Sequence, residues 1–476
     1  MRILLGLLLI VLAQAPLVAQ TNDGPQPQPL VITHVTVIDA TGTPAKPDMT
    51  VVVIGDRISK LGKSSKVRVP ANAQIVDATG KYLIPGLWDM HVHTFRNASK
   101  RPPQTWYFPL FIANGITGVR DMWTKVDSMP QVQLWRKQFA EKPGTVPRFG
   151  AVGTQVDGVP PHWPNADTVS TADEARRMVD RLKAGGVDFV KVYWHLSREA
   201  YFAIVDEAKK QRIPFAGHVP FSISALEASD AGQKSIEHLD GISLACSSEE
   251  ERLSKLKPED LPPGNYFHQI FDTYDEKKCA RLFAHFAING TWQVPTLYMP
   301  MRTDRGSSSL LDDDRLKYVP IAEREEWKAF IARLEKQTPE QKGLRRMEMN
   351  FKLISGMRRS GARFMAGTDL GNEYVYPGFS LHDELVLLVQ AGLTPMEAIQ
   401  SATRNPATFI GKLDSLGTIE KGKFADLVLL EANPLEDISN TQRINAVVVN
   451  GRYLPKEALQ RMLAEAEAAA NKVIPR

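Results

Sequence analysis

The sequence predicts an α/β protein, a (β/α)8 TIM barrel with a small β-sandwich domain built from both chain ends. Three observations predict it. Between about Pro85 and Ile410 short apolar strands alternate eight times with amphipathic helical text. From Leu30 to Leu83 the chain is β-rich, and it returns to that texture only after Gly417. With 476 residues, 43% of them hydrophobic, the chain is long enough for a barrel of roughly 250 residues and a second unit beside it.

The first 20 residues, MRILLGLLLIVLAQAPLVAQ, combine Arg2, an apolar run from Ile3 to Leu12 and small residues at Ala15 and Ala19. That layout predicts a cleavable signal peptide over 1–20, a mature chain starting near Gln20 and a periplasmic or secreted protein. The run is too short to span a bilayer, and no cysteine lies nearby, so no stable membrane anchor is expected after cleavage. Residues 21–84 supply the N-terminal part of the β-domain through LVITHVTVID, MTVVVIGDRISKLG and AQIVDATGKYLIPG. Its C-terminal part, 413–456, carries FADLVLLE and INAVVVNGRYL, and 457–476 reads as a C-terminal helix.

The intervening 85–412 is the barrel. Its strands are GLWDMHVH, GITGVRDM, RFGAVG, VDFVKVYW, FAGHV, SIEHL, WQVPTL and ARFMAGTD, separated by helical text such as TADEARRMVDRLKAGG and REAYFAIVDEAKKQR. An open doubly wound sheet has the same local grammar. The charged stretch from about Met301 to Met349 reads as a helical insertion over the barrel mouth or an outer helical pair. The two cysteines, Cys246 and Cys279, exclude a four-cysteine zinc site by count. Export permits a disulfide between them, and two free buried thiols fit the sequence equally well. A net charge of only +4 with scattered basic residues speaks against nucleic acid as a partner.

His91 and His93 in WDMHVHT are two apart at the end of an apolar strand, so both imidazoles can face one ion. Lys191 lies mid-strand in VDFVKVYW, where a bare ammonium is costly. It is a partner of a buried carboxylate, a side chain snorkelling from the barrel end, or a carbamylated lysine bridging two cations. His218 in FAGHVP and His238 in SIEHLD each end a short strand, and Asp369 in FMAGTDLG closes the last one, where it is either a helix cap or a ligand. Six such side chains at the ends of strands one, four, five, six and eight form the specific signal, because barrel enzymes place their chemistry on that rim.

Arg120 and Asp121 read as a local ion pair. His162, His195, Tyr374 and Tyr376 lie in loops after strands and line the pocket or its rim, and His34, His268, His285 and His382 read as structural. Tyr193, two residues beyond Lys191, shares its inward face about 6–7 Å nearer the mouth, as a core aromatic or a substrate contact.

With H-V-H, the strand lysine, G-H, E-H and G-T-D in this order, the chain resembles the amidohydrolase superfamily. It is most similar to the branch holding imidazolonepropionase-like enzymes and bacterial Xaa-Pro dipeptidases (prolidases). The likeness extends to IVDATGKYLIPGLWDMHVH at the entry to the barrel and SATRNPATFIGKLDSLGTIEKGKFADLVLLEANP at its exit. The resemblance implies two divalent metal ions. His91, His93 and Asp369 would bind the more buried, His218 and His238 the more exposed, and carboxylated Lys191 would bridge them. Zinc suits the mixed imidazole and carboxylate set, and manganese, cobalt or iron would fit. A bridging hydroxide would attack a C–N amide bond, with Asp369 as catalytic general base and then acid. Tyr193 would hold the substrate's carboxylate, with His162 as a further substrate-binding residue. Expected substrates are Xaa-Pro-type dipeptides or N-acyl amino acids. The same site suits a cyclic amide, lactone or carbamate, and a catalytically silent binding protein is the reading from another class. A homo-oligomer is compatible with all of this.

Overall fold

The computed structural model describes residues 28–95, 104–256, 265–304, 307–336 and 344–472. The signal-peptide expectation for 1–20 lies outside them. The strands are β1 (Leu30–Val37), β2 (Lys46–Ile54), β3 (Arg57–Lys63), β4 (Gln74–Asp77), β5 (Tyr82–Pro85), β6 (Leu87–Val92), β7 (Ile116–Asp121), β8 (Arg148–Asp157), β9 (Asp167–Thr168), β10 (Phe189–Val192), β11 (Phe215–Gly217), β12 (Ser235–Glu237), β13 (Trp292–Val294), β14 (Arg363–Phe364), β15 (Leu427–Leu430), β16 (Ile444–Val449) and β17 (Arg452–Pro455).

Each of the eight expected barrel segments contains a strand. They form a curled parallel sheet in the order β14-β13-β12-β11-β10-β8-β7-β6, with the short β9 on β8. Main-chain hydrogen bonds join its two edges: Met90 N to Ala366 O (2.9 Å), His93 N to Leu370 O (2.8 Å) and Leu370 N to His91 O (3.3 Å). Parallel pairing forces helical crossovers, and the expected helices are there. TADEARRMVDRLKAGG forms Ala172–Ala184, started by Thr171, whose side chain accepts from Glu174 N, and turned inward on Ala175, Val179 and Leu182. REAYFAIVDEAKKQR forms Arg198–Gln211. Inside the sheet Trp88 occupies space left by glycines: a Cβ on Gly118 or on Gly150 would lie 2.3 Å from its ring. Phe189 sits against Gly153 in the same way, and Lys191 follows it two residues on, facing inward above it.

The second sheet follows the order β17-β16-β15-β5-β1-β2-β3, with β4 on β1. It is one hydrogen-bonded sheet rather than two separate ones, because β5 pairs with β1 on one side and with β15 on the other. That antiparallel β5–β15 pair ties the two ends of the chain together. FADLVLLE is almost continuously apolar for a physical reason: Leu427 and Leu429 face this sheet's own core, while Val428 and Leu430 pack into the large cluster shared with the parallel sheet and its helices. The chain then ends in the helix Lys456–Ala470.

The charged stretch is a helical insertion between β13 and β14, with helices Tyr298–Asp304, Ser307–Leu311, Ile321–Glu335 and Leu344–Arg359. Leu310, Val319, Trp327, Ile331 and Leu334 close over Tyr374 and Tyr376, each only 1% exposed. These tyrosines therefore anchor the insertion and do not line a pocket. Burial of an aromatic against several apolar side chains outweighs a rim position that sequence alone suggests. Cys246 and Cys279 form a disulfide, their Cα atoms 4.7 Å apart, which fixes the end of the short helix Ile242–Ala245 to the start of Glu276–Asn289. Among the described residues no helix is long and apolar enough to cross a membrane.

Candidate metal centre

All strands of a parallel sheet end on one rim, and that rim gathers the six side chains singled out in the sequence. His91 is in β6 and His93 just beyond it, Lys191 is in β10, His218 and His238 directly follow β11 and β12, and Asp369 follows β14. Asp369 Oδ1 is 2.9 Å from His93 Nε2 and 3.3 Å from His91 Nε2. Donor atoms of these three residues lie within 4.8 Å of one another, the arrangement of a metal-binding group. The four imidazoles form an arc: ring centroids are 5.1 Å apart for His93–His91, 4.6 Å for His91–His238 and 4.8 Å for His238–His218.

The backbone is bent to make this arc. His238, Leu239, Thr296 and Asp369 hold φ of 60°, 57°, 49° and 59°. Left-handed conformations cost non-glycine residues about 1–2 kcal/mol each and concentrate at functional sites. Gly217, before His218, has φ of 132°, and a Cβ there would stand 2.4 Å from Val192 O, so the G-H pair needs its glycine.

Burial holds the pKa values of His91, His218 and His238 down, which keeps the imidazoles neutral and their lone pairs available. Burial alone would raise the Asp369 carboxyl, yet His238, His91 and His93 around it hold it well below the usual carboxylate range. Burial lowers Lys191 to about 8. Lys191 is 2% exposed and makes no ion pair among the described residues, so the simple lysine–carboxylate pair is not what the fold builds.

A second layer orients the first. Nδ1–H of His91 donates to Glu237 (2.8 Å), which also accepts from Arg120 (2.7 Å), and both Glu237 and Arg120 are fully buried. Arg120 further reaches Ser235 Oγ (3.0 Å) and Met90 O (2.5 Å). The expected Arg120–Asp121 pair is thus absent, since neighbours on a strand point to opposite faces. Asp121 instead accepts from Thr94 N, Trp123 N and Thr124 Oγ1. Nδ1 of His238 hydrogen-bonds Thr296 Oγ1 at 2.7 Å. Asp89, raised to about 7 by burial, accepts from His91 N and from Thr368 N and Oγ1, tying the first strand to the segment that carries Asp369. With Nδ1 of His91 engaged, its Nε2 has no hydrogen-bond partner, and neither has Nδ1 of His218, among the described residues. Buried imidazole nitrogens rarely stay unsatisfied, and here they face a set of donors suited to divalent cations. Sequence reading missed Glu237, Thr296 and Asp89. Glu237 and Asp89 each left a usable trace, as lone acids inside the apolar segments SIEHL and GLWDMHVH.

Tyr193 and His162 stand beside the arc. The Tyr193 ring is 4.0 Å from that of His218 and 5.9 Å from that of His162. Trp163 Nε1 donates to its hydroxyl at 2.9 Å, and burial pushes the phenol pKa up, so its own proton stays available to donate. His162 is exposed at the mouth. His195 is held elsewhere, with Nδ1 donating to Pro160 O. The four histidines read as structural have partners such as Asp48 for His34, Asp230 for His285, and Thr441 with Asn114 O for His382.

The amidohydrolase family profile matches residues 82–454. The chain belongs to the amidohydrolase family. Among members and neighbours, it is 36% identical over 102 residues to an ochratoxinase of Aspergillus niger, covering 21% of this chain and 20% of the relative, so the match spans about a fifth of that protein's length. A solved bottromycin amidohydrolase superposes with a TM-score of 0.71 at 24% identity, covering 94% of this chain and 91% of that one. A Xaa-Pro dipeptidase solved with bound methionine gives 0.64 at 20% identity, covering 90% and 100%. The two superpositions establish that this amidohydrolase shares their fold.

Proposed function

We propose that this amidohydrolase is a binuclear metal-dependent hydrolase that cleaves a C–N amide bond, in Xaa-Pro-type dipeptides or N-acyl amino acids. The carrying observation is the convergence of His91, His93, His218, His238, Lys191 and Asp369 on one rim, with Nε2 of His91 and Nδ1 of His218 buried and without a hydrogen-bond partner among the described residues. His91, His93 and Asp369 would hold one ion and His218 and His238 the other. Lys191, buried without an ion pair, would bridge them as a carbamate. Imidazole and carboxylate donors suit zinc, and such cations, when bound, would supply water of lowered pKa and polarise a carbonyl. Asp369 takes the proton of the attacking water at a carboxylate oxygen and returns it to the leaving nitrogen. Tyr193 donates its phenolic proton to the substrate's free carboxylate, and His162 flanks that contact at the mouth. Export to the periplasm or medium is part of the same reading, and the Cys246–Cys279 disulfide supports it.

Elemental analysis of the purified protein tests the binuclear site: about two divalent ions per chain are expected, and full activity with one or none rejects it. A panel of Xaa-Pro dipeptides, N-acyl amino acids and lactones tests the chemistry. Hydrolysis of the lactones alone overturns the amide reading. Glu237→Gln leaves the fold's volume unchanged but weakens the hold on His91 Nδ1, and metal affinity should fall about 10- to 100-fold in a chelator competition. A wild-type value would remove Glu237 from the positioning role. Tyr193→Phe should lower kcat/KM by roughly one to two decades, because one hydrogen bond to a carboxylate is worth about 1.5–3 kcal/mol. Amidated substrates should lose a similar factor with the wild type and little more with the variant. Equal rates for free acid and amide would show that Tyr193 reads no carboxylate.

A further inference from the structure

Beyond His238 the rim opens into a cleft of about 1010 Å³ that the chemistry described so far does not use. A volume at the top of the usual range of roughly 300–1,000 Å³ for small-molecule sites is far more than a dipeptide of small residues fills. The cleft is continuous with the metal centre, since His238 lines both. Its walls are Trp194, Phe221, Leu239, Leu244, Phe267 and Ile270. Trp194 follows Tyr193, and the two rings diverge: Tyr193 lies against His218, whereas Trp194 stacks on Phe221 at 5.9 Å with an interplanar angle of 11°. Trp194 is fixed there by its indole N–H, which donates to Asp240.

Two features say that the occupant is apolar. Phe221 is 65% and Phe267 43% exposed, and large aromatics left open around a concave wall mark ligand grooves. The carboxylates of the cleft are already engaged: Glu227 pairs with Arg198 (2.6 Å), Glu250 with Lys278 (2.6 Å) and Glu251 with Lys255 (2.9 Å), while Asp240 accepts from the Trp194 indole and is raised to about 7 by burial. The left-handed turn at His238 and Leu239, followed by Gly241 packed on Val219, directs Leu239 into the same wall.

We propose that this cleft is a subsite for a bulky apolar or aromatic group on the acyl side of the amide, so that large acyl residues are preferred over small ones. The inference rests on the amide-hydrolase reading for its orientation: with the carbonyl at the imidazole arc and the carboxylate at Tyr193, the acyl half passes His238 into the cleft.

Binding and turnover test the two readings separately. On metal-loaded enzyme, calorimetry with 2-naphthoic acid and with acetic acid as acyl-side product mimics should show naphthoate bound at least about tenfold more tightly, as filling an apolar site with several carbons implies. Phe221→Ala, which removes an exposed ring and no core packing, should cut that preference several-fold, and Ser243→Trp, which fills the cleft, should abolish it. In parallel, kcat/KM for Phe-Pro should exceed that for Ala-Pro by about tenfold or more, with the ratio falling in both variants. Naphthoate bound no better than acetate, or a preference indifferent to both variants, overturns the subsite. If naphthoate is preferred and the variants abolish this while no amide is cleaved, the subsite stands and the hydrolase reading falls. If amides are cleaved without preference for the larger acyl group, the reverse holds.

Discussion

Asp369→Asn lowers kcat by about 10²- to 10⁴-fold, the range that general acid–base catalysis contributes. The substitution is nearly isosteric, and the left-handed backbone at this position, φ 59°, tolerates asparagine well. What it removes is the acceptor. Asp369 Oδ1 lies 2.9 Å from His93 Nε2 and 3.3 Å from His91 Nε2, and those imidazoles hold its carboxyl ionised far below neutral pH. An amide cannot take up a proton there and hand it on. Single-turnover rates with a cleaved substrate, alongside metal content, separate the two contributions. Turnover within a few-fold of wild type at normal metal content would place the proton transfer on another group.

Lys191→Ala abolishes most bound metal and most activity while the fold survives. Lys191 is 2% exposed and without an ion pair among the described residues, so alanine relieves a buried charge and leaves a space in place of the bridge. Cavity formation costs stability, by about 2–5 kcal/mol for comparable truncations, and thermal unfolding measures it separately from activity. Short carboxylic acids, small enough for the vacated space and carrying the oxygen ligands that a carbamate would have offered, should restore part of the metal and part of the rate. Wild-type metal content and rate in Lys191→Ala, without added acid, would end the bridging role.

How much of this was legible beforehand depended on the range of the interactions. The β-domain built from both chain ends showed in the sequence because apolar runs with turn punctuation are local signals, yet its single-sheet topology depends on β5 pairing with both β1 and β15. Tyr374 and Tyr376 read as rim residues because their loop follows a strand. Only the helical insertion packed over them makes them core.

The sequence by itself determined the parallel strands and the residues at their ends, while their order around one curled sheet, which an open doubly wound sheet would not share, came from the pairing. A period of two and a common rim for all parallel strands turn H-V-H, the strand lysine, G-H, E-H and G-T-D into a prediction of place. Tertiary structure alone decided what each of those residues touches. Glu237 reaches His91 across 146 positions and Arg120 across 117, whereas Arg120 and Asp121, adjacent in the chain, point apart. The same holds for the Cys246–Cys279 bond and for the cleft beyond His238, whose walls come from loops and helices scattered between Trp194 and Asn350. Strand position is written in neighbouring residues, but hydrogen bonds and apolar contacts across a closed sheet act between side chains that only the folded chain brings within a few ångströms.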